Sequence, residues 1–296
     1  MGFGGQAEGL RQNGKSVYGF FGVTGDHVDR SKPPGSSRLT TPTLGAWFFE
    51  MFTGRIIYNS PNLVWLGIAL WMYVFFPYNL DPRTSAAALG PLSMAFFRER
   101  LPLWLGVVFA YYGFWEVAEP LWCSRSLVQG RGFRWGRFLH NVMYCVAGIV
   151  IFVGFENVMC HLWATGKHGY LSDKDAFNGS WGNFAVFVLG LLLVPQWRDM
   201  HFYFAHRLLH FRPTYSFVHS LHHRNTDVTP LAGLCMHPVE HLYYYASVLP
   251  SVVLPLLSPS SFLFNAVHFM LAPAAGHTTW EDHWQADVYH FFRKKW

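Results

Sequence analysis

The chain has 296 residues, 51% of them apolar, 19% aromatic and only 13% charged, against about 25% charged in an average soluble domain. That balance excludes intrinsic disorder and argues against a water-soluble enzyme, because 28 Phe, 13 Trp and 14 Tyr suit a chain partly solvated by lipid. A formal charge of +5 invites a nucleic-acid partner, but the 22 Lys and Arg form no dense block and none is expected.

Residues 1–45 are rich in Gly, Ser, Pro and charge, ending in Ser31-Lys32-Pro33-Pro34-Gly35-Ser36-Ser37. They hold too little apolar surface to offset ordering entropy and are expected to form a mobile tail. The tail carries no apolar run suited to a cleaved signal peptide, and Gln6 stands where a myristoylation signal needs Ser or Thr. The membrane address is therefore expected in the body of the chain, at 46–200. There Trp47-Phe48-Phe49-Glu50-Met51-Phe52 precedes Arg55 as an interfacial segment, followed by apolar runs at 61–77, 101–122, 142–163 and 181–197. Each run is near the length that crosses a bilayer. Glu116 and Glu119 share a helix face near the end of the second run and read as acids reaching the interface, a carboxylate ligand pair being the alternative.

The basic residues alternate from loop to loop. Six precede the first run, three follow it (Arg83, Arg98, Arg100), four follow the second and two, Lys167 and Lys174, the third. The positive-inside rule then puts the amino terminus and everything after Trp197 in the cytosol. Asn178-Gly179-Ser180, a glycosylation acceptor pattern, falls on the luminal side. Cys123, Cys145, Cys160 and Cys235 are dispersed and read as buried thiols.

Twelve of the 16 histidines fall between His201 and His290. His206-Arg207-Leu208-Leu209-His210, His219-Ser220-Leu221-His222-His223 and His237-Pro238-Val239-Glu240-His241 each stack imidazoles on one face if helical. Neutral imidazole ligates Zn, Cu, Fe and Ni, and these seven side chains exceed the needs of one tetrahedral zinc, so two metal ions are inferred. His277 is a further candidate ligand by position, while His201, His268 and His283 read as structural. Ligands on both sides of the apolar 242–276 stretch require it to enter and leave by one face, as a hairpin.

At these residues the chain resembles the fatty acid hydroxylase and sterol desaturase superfamily, whose ordered boxes are His-x3-His, His-x2-His-His and a final His-x2-His-His. His206-Arg207-x-x-His210, Arg212-Pro213-Thr214-Tyr215 leading to His219-Ser220-x-His222-His223, and Met236-His237-Pro238-Val239-Glu240-His241 carry the resemblance, over roughly residues 185–290. It implies an all-α integral membrane bundle, about four transmembrane helices plus a hairpin, under a cytosolic histidine-rich catalytic cap at 201–296. It further implies an endoplasmic-reticulum enzyme that hydroxylates or desaturates a sterol or fatty acyl lipid with O2. Two iron ions would be held by His206, His210, His219, His222, His223, His237, His241, His277 and His290, with Arg207 and Glu240 orienting those imidazoles. Electrons would come from NAD(P)H through a b-type cytochrome and its reductase.

The final box departs from the pattern. His290-Phe291-Phe292 begins it, but Arg293-Lys294 stand where two histidines belong, and the cap is expected to be incomplete at its carboxyl end. Cations there remove donors and repel a metal. The alternative is thus a truncated or catalytically impaired homologue acting as a lipid-binding or regulatory membrane protein. A histidine-rich transporter would want its ligands at mid-membrane. A zinc hydrolase using Glu240 as base would leave histidines surplus.

Overall fold

The computed structural model describes residues 60–122, 134–225, 229–250, 254 and 257–277, all within the compact unit Ser60–Trp280. The described residues form helices and turns, with no strand among them. In chain order these are α1 (Ser60–Phe75), α2 (Met94–Trp122), α3 (Trp135–Ala164), the short α4 (Asp173–Asn178) and α5 (Trp181–Leu209). A helical stretch at 212–223, a 3₁₀ turn Pro230–Leu234, α6 (Pro238–Tyr245) and α7 (Pro259–Gly276) follow. The starts of α4, α5 and α7 are set by serine caps. Ser172, Ser180 and Ser258 accept from the backbone N–H of Asp175, Asn183 and Ser261, at 3.1, 3.2 and 3.1 Å.

α7 is apolar but for its opening serines, Asn265 and His268, and it is buried: residues from Phe262 to Ala274 have almost no exposed surface. It packs against α1, α5 and α2. The outer helices show the reverse of a soluble pattern, with Leu63, Val64, Leu70, Trp71, Val74 and Phe75 of α1 exposed. The four expected runs fall in α1, α2, α3 and α5. α3 is long and apolar enough to cross a membrane, whereas Leu63–Phe75 and Trp181–Val194 are shorter apolar helices. The expected amino-terminal tail and interfacial segment lie outside the described residues, as do Cys123, His283 and His290. Cys145, Cys160 and Cys235 are buried free thiols.

One ion pair lies in this core. Glu156 of α3, fully buried, accepts from Arg100 Nη2 at 2.8 Å, Tyr78 OH at 2.7 Å and Trp104 Nε1 at 2.9 Å. Arg100 also donates to the Phe76 carbonyl at 2.8 Å and lies over the Tyr78 ring. Both oxygens of the carboxylate are satisfied, as a buried charge requires. Arg100, counted above as a loop cation, is thus a buried residue of α2, which begins earlier than its apolar run.

Two close approaches fix the helices that bear histidines. A Cβ on Gly148 of α3 would come within 2.3–2.8 Å of the His241 ring, so only glycine leaves the slot that this ring fills. His241 is wholly buried there, stacked on Tyr245, with Nε2 at 3.3 Å from the Tyr144 carbonyl. Gly148→Ala is expected to destabilise the chain by about 1–3 kcal/mol through overpacking, read as a lower thermal midpoint in detergent. An unchanged midpoint would show that the ring can move aside. In α7, Pro273 cannot donate to the Phe269 carbonyl, and the Tyr244 hydroxyl of α6 donates to it instead at 3.0 Å. The neighbouring Met270 carbonyl also accepts from Tyr112 OH, at 2.9 Å.

Candidate metal centre

α5 outruns its apolar stretch by three turns and carries His206 and His210, one turn apart, to its carboxyl end. The chain then turns at Phe211 and re-enters a helical path that includes a π turn over Tyr215–His219. Such widened turns re-aim side chains, frequently at functional sites. Here the turn leaves Phe217 outside while burying Val218 and His219, and the next turn carries His222 and His223.

The two i, i+4 pairs meet. One nitrogen from each of His206, His210, His219 and His223 lies within 4.8 Å of the other three. The Nε2 atoms of His206 and His210 are 3.0 Å apart, as are those of His219 and His223. Ring centroids across the pairs stand at 4.7 Å for His206–His219 and 5.0 Å for His210–His223, and Tyr215 stacks on His210 at 5.6 Å. Two nitrogens each about 2.1 Å from a shared ion are separated by about 3 Å, so the spacing fits a transition-metal ion. Burial holds the His219 and His223 rings down to about 4, so both are neutral at physiological pH with a lone pair to give.

His222 faces away from this group. Its Nε2 lies 3.4 Å from Nε2 of His277, and its ring centroid is 5.6 Å from that of His219. The far nitrogens are held by backbone: His222 Nδ1 is 3.2 Å from the Cys235 carbonyl and His277 Nδ1 is 2.7 Å from the Pro273 carbonyl. Both rings therefore present Nε2 to the same space. The described residues thus bring together four imidazoles that could hold one ion, with the His222–His277 pair beside them.

Glu240, in the first turn of α6, places Oε1 at 2.7 Å from His219 Nδ1. Its Oε2 has no partner among the described residues. A carboxylate at Nδ1 fixes a ring so that Nε2 faces a metal. His237 and His241 share the i, i+4 spacing but do not join the four rings. His237 Nδ1 accepts from the Val239 N–H at 3.2 Å as the cap of α6, and His241 sits in the Gly148 slot with its Nδ1 buried and without a partner among the described residues. Arg207 is exposed and donates to the Tyr203 hydroxyl at 2.7 Å. Glu116 accepts from the Leu231 N–H at 3.0 Å. His268 is buried edge-on to Trp65. The Cys235 and Tyr144 carbonyls and the Gly148 slot carry no sequence signal; Pro273, a proline inside an apolar run, was the one readable sign of an irregular helix at this site.

The family model for the fatty acid hydroxylase domain matches residues 191–296. Among curated proteins, the human fatty acid hydroxylase domain-containing protein 2 is 34% identical over 89 residues, 30% of this chain and 26% of that protein. A Delta(7)-sterol 5(6)-desaturase of Gibberella zeae is 36% identical over 81 residues, 27% of this chain and 21% of its own. The Delta(7)-sterol 5(6)-desaturase of Candida dubliniensis is 31% identical over 107 residues, 34% of this chain and 27% of its own. The chain thus spans about a quarter of the length of these relatives. No solved structure matches it.

Proposed function

We propose, from the premise that residues 191–296 place this chain in the fatty acid hydroxylase and sterol desaturase superfamily, that it is a membrane-bound oxidoreductase acting on a lipid with O2. The observation that carries this is the convergence of four imidazoles, His219 buried, His206 and His210 half-buried and His223 exposed. Bound there and at the adjoining His222–His277 pair, two iron ions supply the power to oxidise an unactivated C–H bond, with electrons drawn from NAD(P)H through a b-type cytochrome.

The chain's own part is binding and orientation. His206, His210, His219 and His223 hold one ion; His222 and His277 begin the second site. His237, His241 and His290 complete it in this assignment. His237 would release the Val239 N–H to do so, and His241 would offer its unpartnered Nδ1. Glu240 accepts the Nδ1 proton of His219 and fixes the ring that lies between the two sites. The substrate is a sterol or fatty acyl lipid entering from the bilayer, and the product an alcohol or an alkene. The protein would be a multi-pass component of the endoplasmic reticulum membrane with its amino terminus and histidines cytosolic.

The second reading, a lipid-binding or regulatory homologue without metal, is favoured by Arg293-Lys294 in the final box. Iron and zinc analysis of the whole chain purified in detergent separates the two. About two ions per chain, falling to about one or fewer in a His219→Ala, His223→Ala double variant and kept in His140→Ala, is the expected result. Substoichiometric metal that ignores the double variant would overturn it and favour the lipid-binding reading.

A further inference from the structure

α5 is longer than a hydrocarbon crossing. Its 29 residues rise about 43 Å, which exceeds a hydrocarbon core of about 30 Å and matches a bilayer with its headgroup layers, about 40–45 Å. The last turns of the helix carry opposite chemistry on opposite faces. His206 and His210 stand on the inner face with Phe202. Met200, Phe204, Leu208 and then Phe211 recur at helical spacing on the outer face, and all are exposed, Phe204 and Phe211 by 63%. This stripe continues that of Leu189 and Leu193, exposed in the apolar run itself. A helix in a water-facing cap would turn its polar face outward; here the imidazoles are inside and the phenyl rings outside. Within the π turn Phe217 is 82% exposed.

The charge on this stretch has one sign. From Met200 to Asn225 the sequence holds Arg207, Arg212 and Arg224 and no acidic residue. Arg207 and Arg212 are exposed within the apolar stripe, Arg207 laid along the helix by its bond to Tyr203. Exposed aromatics interleaved with arginines and lacking counter-charges complement an anionic lipid surface.

We propose that the Met200-to-Phe217 face is a membrane-contact foot, seated in the headgroup layer of an anionic bilayer. Phe204, Leu208, Phe211 and Phe217 enter the acyl boundary, and Arg207 and Arg212 meet phospholipid phosphates. The proposal rests on the membrane reading above and sharpens it: the four-histidine group lies at headgroup depth, one helix diameter from lipid, and Arg207 serves the membrane rather than the imidazoles.

The test uses the full chain in phosphatidylcholine vesicles, with a fluorophore on Phe217→Cys or on Leu193→Cys in a Cys123→Ser background, the described native thiols being buried. Brominated lipid and aqueous iodide are the quenchers. Both labels should be quenched by brominated phosphatidylcholine. Brominated phosphatidylserine should be enriched at Phe217 by about fivefold per arginine, a preference that Arg207→Ala with Arg212→Ala removes while quenching by phosphatidylcholine persists. Quenching of the Phe217 label by iodide alone means a water-facing cap, and quenching by neither means that another segment or a second copy covers the face. Either result overturns the foot while the Leu193 label still reports lipid. Equal quenching by the two lipids overturns the anionic preference. A Leu193 label that lipid does not quench defeats the membrane reading itself, and the foot with it.

Discussion

Glu240→Ala is expected to weaken metal binding about 10–100-fold, the usual cost of losing a group that orients a ligating imidazole. The geometry behind this is the 2.7 Å contact between Glu240 Oε1 and His219 Nδ1. His219 is wholly buried and its ring lies within 4.7 Å, centroid to centroid, of His206, His210 and His223. A free ring could turn its Nδ1 toward the cluster or offer a protonated Nε2; the carboxylate removes both options. Glu240→Gln keeps an acceptor in the same place and should fall between the two. Chelator competition on the detergent-purified chain, with helicity by circular dichroism as a check on folding, measures the effect. Equal affinities for wild type and Glu240→Ala would falsify the orienting role and leave Glu240 as a buried polar group of α6.

A second substitution, Glu156→Ala, should destabilise the chain by about 3–5 kcal/mol, because it leaves the buried Arg100 guanidinium without its anion. The double variant Glu156→Leu with Arg100→Met removes both charges and should recover much of that loss, since a buried pair is often replaceable by apolar side chains of similar volume. Thermal midpoints in one detergent compare the three chains. A Glu156→Ala midpoint equal to that of the parent would mean that the pair is solvated after all. Metal content should be unchanged in the double variant, since none of the residues bonded to Glu156 is a histidine.

Much of the site could be read from spacing. The i, i+4 pairs His206–His210 and His219–His223 each put two rings on one face, and the two faces meet. His222, one position off that face, turns to His277, a residue marked in the sequence only by its position. Spacing says which side chains share a face but not what the face meets, and His237–His241 shows the limit: the same spacing delivers one ring to a helix cap and the other to a slot on α3. The helical class and the order of apolar runs were legible from composition and run length. The Glu156–Arg100 pair was not read, although an acid inside an apolar run is itself a signal; its partner lies 56 positions away and had been assigned to a loop. The length of α5 is hidden for the opposite reason, since its last three turns mix His201, His206 and Arg207 with apolar residues and so break the hydropathy run at Trp197.

Pro273 has a bearing on how the protein is assembled. A proline in a helix frees one carbonyl, and an unpaired carbonyl surrounded by lipid costs several kcal/mol. The Phe269 carbonyl is matched by the Tyr244 hydroxyl, which α6 supplies from outside the helix. α6 therefore supplies α7 with a hydrogen bond that the proline denies it within its own helix, and the two helices are most stable docked together. The same contact ties His241, on α6, to His277, at the end of α7, so that the two rings keep their relation only while the helices stay docked.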